Sequence, residues 1–312
     1  MGRWPQLDYQ RWRQTGGSLH MWAQIVGKFR LAQTPWVNHS WHATLYVTAR
    51  GLTTSPVPGP AGSFEVSFDF LDHNLDVVAS DGAAVRFPLE PMAVADFHRR
   101  FVAALASVGA PTDFHGAPNE VPDPLPFRQQ TAPGGYDPQA AQDCWRALRL
   151  VDTVFKRFRT GFLGKVSPVH LFWGSFDLAV TRFSGRAAPL HPGGIPALPD
   201  AITREAYSHE VSSAGFWPGG GQVEEASFYA YAYPAPPGFA EARVAPAEAI
   251  FHQGLGEFLL PYEVVSTAAD PEATLLAFLQ STYEAAANLG RWDREALECE
   301  LGKPRVPRAL AR

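Results

Sequence analysis

Ser18-Leu-His-Met-Trp-Ala-Gln-Ile-Val-Gly-Lys-Phe-Arg30, followed by His39-Ser-Trp-His-Ala-Thr-Leu-Tyr-Val-Thr-Ala-Arg50, is the stretch that decides the fold. In the first segment Leu19, Trp22, Ile25, Val26 and Phe29 recur at helical spacing, with Ser18 placed as N-cap and Lys28 and Arg30 at the basic end. The second segment is rich in β-branched and aromatic residues and reads as a strand. The plan returns further on. Trp145, Leu148, Val151, Val154, Phe155 and Phe158 stripe a helix over Asp143 to Arg159, and a second histidine-led strand runs from His170 to Arg182. Histidine and arginine are 11 positions apart in the first strand and 12 in the second.

Outward from these segments, Phe64 to Phe70 and Phe228 to Tyr233 alternate with period two, as half-buried antiparallel strands do. Val85 to Leu89 and Glu257 to Leu260 then lead through prolines to closing helices at Val94 to Val108 and Pro271 to Leu289. The expected fold is α+β, with two tandem α-β-β-β-β-α repeats forming a pseudo-two-fold pair of mainly antiparallel sheets with flanking helices. The first repeat is expected over 1–110, a Pro-rich linker over 111–138, the second repeat over 139–292 and a C-terminal tail over 293–312. Fourteen positions separate Arg50 from Phe64, whereas 46 separate Arg182 from Phe228. The second repeat therefore carries an insertion at about 183–227, and long, Gly/Pro-rich connections of this kind often cover binding sites.

Composition narrows the function classes. The 312 residues are 46% hydrophobic and 18% charged, with 28 Pro and 27 Gly, as in an ordinary globular protein. A formal net charge of −5 leaves no basic footprint for a phosphate backbone, so no nucleic-acid partner is expected. The Met1 to Gln14 stretch has arginines but no apolar core behind them, and no apolar run approaches the roughly 18 residues of a membrane span. A cytoplasmic protein with no membrane partner is expected. Cys144 and Cys299 are too few and too far apart for a disulfide framework or a zinc knuckle. The phosphate-loop, dinucleotide, zinc-protease and nucleophile-elbow signatures are absent from the sequence.

Histidine, tryptophan and arginine instead crowd the junctions between loops and strands. His39, His42, His170, His209 and Glu210 are the candidate catalytic groups, since imidazole and carboxylate side chains shuttle protons and ligate metals. Trp36, Trp173, Asp177, Arg182, His191 and Trp217 are the candidate ligand contacts, the tryptophans stacking on a small molecule and Arg182 gripping an anionic group. A transition metal is admitted as cofactor, although His39 and His42 would face opposite sides of a straight strand. Tyr229, Tyr231 and Tyr233 share one strand face, where they either line a pocket or pair across the sheet. The expected function is binding or catalysis of a small polar ligand in a cleft between the repeats. The alternative is a non-catalytic interaction or scaffold protein that docks through the aromatic-rich insertion.

The segments Pro35 to His42, Ser167 to Gly185 and Tyr207 to Pro218 resemble, within a full-length match, an uncharacterised bacterial family known only as a domain of unknown function. That resemblance implies a bacterial cytosolic origin and carries no activity, cofactor or site residue.

Overall fold

The computed structural model describes residues 3–60, 62–220 and 223–308. Helix α1 (Tyr9–Gln33) starts well ahead of Ser18, because Asp8 caps it and accepts a hydrogen bond from the Gln10 amide at 2.9 Å. Ser18 is a buried residue inside this helix, not its cap. Gly16 is tolerated mid-helix because the Trp12 indole fills the space a Cβ would need. Trp22, Ile25, Val26 and Phe29 are buried as their spacing requires, but so are Gln24, Lys28 and Arg30, since α1 is enclosed between the two halves. Arg30 offsets its burial by donating to the carbonyls of His42 at 2.7 Å, Thr44 at 2.5 Å, and Thr54. Those bonds pin the chain that follows the helix.

A 3-10 turn at Asn38–Ser40 leads into β1 (Tyr46–Val47), β2 (Gly51–Thr53), β3 (Val57–Gly59), β4 (Gly62–Asp69), β5 (Asn74–Ala79) and β6 (Ala84–Pro88), and then into α2 (Val94–Ser107). Phe97 of α2 stacks on Trp22 at 4.8 Å and on Phe68 of β4 at 6.4 Å, which fastens the first sheet to both helices. Helix α3 (Pro138–Arg159) is capped by Asp137 and precedes β7 (His170–Phe172), β8 (Asp177–Ala187), α4 (Asp200–Ala206), β9 (His209–Trp217), β10 (Ser227–Tyr233), β11 (Ile250–His252) and β12 (Glu257–Pro261). The chain closes with α5 (Tyr262–Ser266), α6 (Pro271–Leu289) and α7 (Arg294–Leu297). Two antiparallel six-stranded sheets with flanking helices make the protein α+β.

The sheets meet at their edges, where Leu45 and Leu171 exchange backbone hydrogen bonds of 2.9 and 2.8 Å. Outward from this seam the first sheet runs β1-β2-β4-β5-β6, with β3 also paired to β4, and the second runs β7-β8-β9-β10-β12-β11. The outermost pair is reversed in the second sheet, so the strand order does not confirm an internal repeat. The insertion also differs from a simple cover. Its residues His209–Trp217 form β9, which lies between β8 and β10 and pairs with both, so the insertion builds the sheet as well as roofing it. One apolar core runs through both halves. Among the described residues no helix is long and apolar enough to cross a membrane. Residues 293–298 are tied down too, since the Tyr283 hydroxyl donates to Glu298 at 2.8 Å and Arg294 clamps the same carboxylate at 2.5 Å.

Candidate functional site

Strand alternation gives the second sheet two chemically different faces. Leu178, Val180 and Arg182 of β8, Phe216 of β9 and Phe228 of β10 face α3 and α6, which pack on that side. Asp177, Ala179, Thr181 and Phe183 face the other way, onto a cavity of about 350 Å³. Ser213 and Trp217 of β9, Tyr229 and Tyr231 of β10, and Glu257 of β12 complete its floor. The roof comes from elsewhere in the chain. Leu31, Trp36, His39 and Trp41 descend from the end of α1 and the turn after it, while Ile195, Leu198 and Ile202 come from the insertion around α4.

The floor is acidic and internally hydrogen-bonded. Tyr229 reaches over Gly215 and donates a short hydrogen bond to Oδ2 of Asp177. Burial raises the Asp177 carboxyl to about 7, against the lowering effect of Tyr229, and the nearby Glu120 raises it further. Glu257 is also raised to about 7, by burial and then by the Asp177 charge. The Tyr207 and Tyr231 hydroxyls pair at 2.8 Å, as do those of Thr181 and Ser213. Burial holds the phenols of Tyr207 and Tyr229 well above their ordinary range and raises Tyr231 to about 12, so all three stay neutral near pH 7.

The third carboxylate, Glu120, arrives from the Pro-rich connection between the halves. Gln24 of α1 grips that segment like a strand partner, donating to the Asn119 carbonyl and accepting from the Asn119 amide, both at 2.8 Å. Lys28, one helical turn on, donates to the Asn119 side chain. Ser175 donates to the Glu120 carboxylate at 2.5 Å, and Gly174 lies so close beneath it that any Cβ would collide. Burial raises Glu120 and lowers Lys28 to about 8, while each charge partly relieves the other.

The sequence-predicted residues divide sharply. Asp177, Trp173, Trp36, Trp217 and His39 line the cavity. His39 is firmly held: its amide donates to the Glu205 carboxylate at 2.9 Å, its Nδ1–H donates to the Ala206 carbonyl at 2.8 Å, and Lys165 donates to its Nε2 at 2.5 Å. Burial and the Lys165 charge lower its pKa. His209 lies beside it, with ring centroids 6.1 Å apart, but does not line the cavity. His42 accepts from the Val37 amide at 3.1 Å and packs on Trp36. His191 stacks on Tyr207 at 4.7 Å, behind the cavity wall.

Three further candidates serve the scaffold. His170 is enclosed by Trp41, Tyr46 and Phe172, and burial and the charges of Arg30 and Arg159 lower it to about 3, so it stays neutral. Glu210 is taken by Arg186 at 2.6 Å and by the Ser184 hydroxyl at 2.8 Å. Arg182 lies on the helix side of β8, its guanidinium 3.5 Å from the Phe158 ring centroid and 4.3 Å from that of Tyr283, donating to the Phe158 carbonyl at 2.6 Å. It cannot grip a ligand in the cavity. Among the described residues no three His, Cys, Asp or Glu side chains converge as a metal site. Glu120, Glu257, Tyr207 and Ser213 were not predicted, and they supply much of the polar floor.

No curated protein and no solved structure matches the chain. Residues 4–299 match the model of a family described as a family of unknown function (DUF5996), and the chain belongs to that family.

Proposed function

We propose that the protein binds a small organic molecule in the cavity over its second sheet and exchanges a proton with it through Asp177. The observation that carries this reading is the convergence of Asp177, Glu257 and Glu120, from three distant parts of the chain, on one aromatic-walled cavity of about 350 Å³. A volume of this order lies in the range of small-molecule sites. Desolvated carboxylates are costly to maintain, and a purely structural core would replace them with apolar side chains. A carboxyl that titrates near 7 also suits general acid–base work at neutral pH. The interaction-module reading draws less support, because Tyr207 and Trp217 of the insertion turn inward to the cavity.

Lining tryptophans make entry of a ligand measurable. Titration of the protein with a panel of metabolite-sized probes should produce saturable changes in tryptophan fluorescence and a rise in melting temperature. Ala206→Phe, which fills the cavity from the roof and leaves the sheet intact, should abolish both signals. Equal responses from the wild type and this variant would remove the cavity as the binding site.

A further inference from the structure

We infer that the ligand of this cavity is an organic ammonium ion with an apolar body, an assignment that rests on the small-molecule reading above. Four features of the cavity carry it, beginning with charge. The Lys28 charge eases the burial of Glu120, but among the described residues no Lys, Arg or His side chain lies within salt-bridge distance of Asp177 or Glu257, which act on one another. The floor therefore holds two buried acids with no counterion, and a protonated amine between them supplies the missing positive charge. Aromatic rings reinforce the preference, because Tyr229, Tyr231 and Phe172 line the same cavity as those acids and aromatic π-faces attract a cation.

Hydrogen-bonding capacity argues in the same direction. Tyr229 is bonded to Oδ2 of Asp177, and among the described residues no hydrogen bond reaches the Glu257 carboxylate. Acceptor capacity therefore remains on these carboxylates, and the ammonium group is a donor with no acceptor. An anion would meet two carboxylates. The opposite wall is largely apolar, with Leu31, Trp36, Ile195, Leu198 and Ile202, so the part of the ligand away from nitrogen is hydrocarbon.

The test compares 2-phenylethylamine, its near-isosteric neutral analogue 2-phenylethanol, and methyl β-glucoside, by isothermal titration at pH 7.5 on the full chain. The amine should bind at least tenfold more tightly than the alcohol, with no measurable binding of the glucoside. Asp177→Asn and Glu257→Gln should each weaken the amine at least tenfold and leave the alcohol within about twofold. If either variant fails to fold, the wild-type comparison still decides. Binding of the alcohol as tight as that of the amine would overturn the ammonium assignment and leave the small-molecule reading standing. Preference for the glucoside would do the same. No binding of any of the three would overturn the ammonium assignment and count against the cavity reading as well.

Discussion

Tyr229 and Asp177 lie on strands that do not pair with each other, and their side chains meet across the intervening strand because residue 215 between them is glycine. Gly215 pairs with Tyr229 on one side and with Ala179 on the other, so the phenol lies flat over the glycine backbone and reaches β8. A side chain at 215 would stand where the ring now lies. The absent Cβ thus decides where the Tyr229 hydroxyl goes, and that hydroxyl in turn holds the buried acid.

Gly215→Ala should therefore push Tyr229 off the floor. The cost expected is about 1–3 kcal/mol, the usual range for overpacking a filled site. Chemical denaturation of Gly215→Ala, Tyr229→Ala and the double variant gives the coupling directly. The double variant should be clearly more stable than the two single losses added together, because removing the ring removes the clash. Additive losses would mean that the ring and the glycine do not share this space.

Asp177 gives the molecule a pH dependence of defined sign. In the unfolded chain the carboxyl titrates near about 4, whereas burial raises it to about 7 in the fold. The stability gained by keeping it protonated is complete below about pH 4 and is lost as the pH climbs through 7. Asp177→Asn keeps an acceptor for Tyr229 without the charge, and it also relieves Glu257 of a repulsive neighbour. Its melting temperature should exceed that of the wild type at pH 8 by several degrees, a gain on the order of 3 kcal/mol, and the difference should vanish near pH 4. A constant difference across that range would show that the acid does not titrate there.

Much of this arrangement was legible in the residues. Helical spacing located α1, α3 and α6, and period-two alternation located β4 and β10 with the correct phenols on one face. The same alternation separates Asp177 from Arg182: five positions apart on a strand, they must face opposite sides, so the two could not share a cavity. Other parts had no local signal. Glu120 sits in a Pro-rich run without periodicity, and its segment is held at the cavity by distant partners: Gln24 on the Asn119 backbone, Lys28 on the Asn119 side chain and the Pro196 carbonyl on the Glu120 amide. Histidine density at the strand junctions misled, because His170 and His42 fill apolar gaps beside Trp41 and Trp36. Helix α1 starts at the Asp8 cap, ahead of Ser18, and runs on through Gly16, over which Trp12 packs from one turn earlier in the same helix.

Arg182 tests the two-faced reading of β8. Its guanidinium sits over the rings of Phe158 and Tyr283 while donating to the Phe158 carbonyl, a combination that a lysine ammonium does not reproduce. Arg182→Lys should cost about 2 kcal/mol through the lost stacking and the weakened bond to the Phe158 carbonyl. Ligand entry into the cavity should be unchanged, as measured by tryptophan fluorescence. A loss of binding with unchanged stability would place Arg182 among the ligand contacts after all.

Gln24 tests whether the connection between the halves is part of the cavity or a tie at its rim. Its amide makes two 2.8 Å bonds to the Asn119 backbone, and the bond to the Asn119 carbonyl and the one from its amide both lie in the interior. Gln24→Met has similar volume and neither bond, so it leaves a buried backbone donor and acceptor unpaired. That should cost about 1–3 kcal/mol for each group that water cannot reach. The loss is expected to be local, because α1 keeps its apolar contacts through Trp22, Ile25 and Phe29 and the core stays closed. Hydrogen exchange should accelerate at the Asn119 and Glu120 amides, the latter bonded to the Pro196 carbonyl at 3.0 Å, while β8 to β10 remain protected. Detachment would also carry Glu120 away from Ser175 and Lys28. The cavity would then open beside Gly174, and probe affinity should fall even though no residue of the sheet floor has changed. Unaltered exchange at 119–120 would show that the prolines around the segment, and not Gln24, hold it in place.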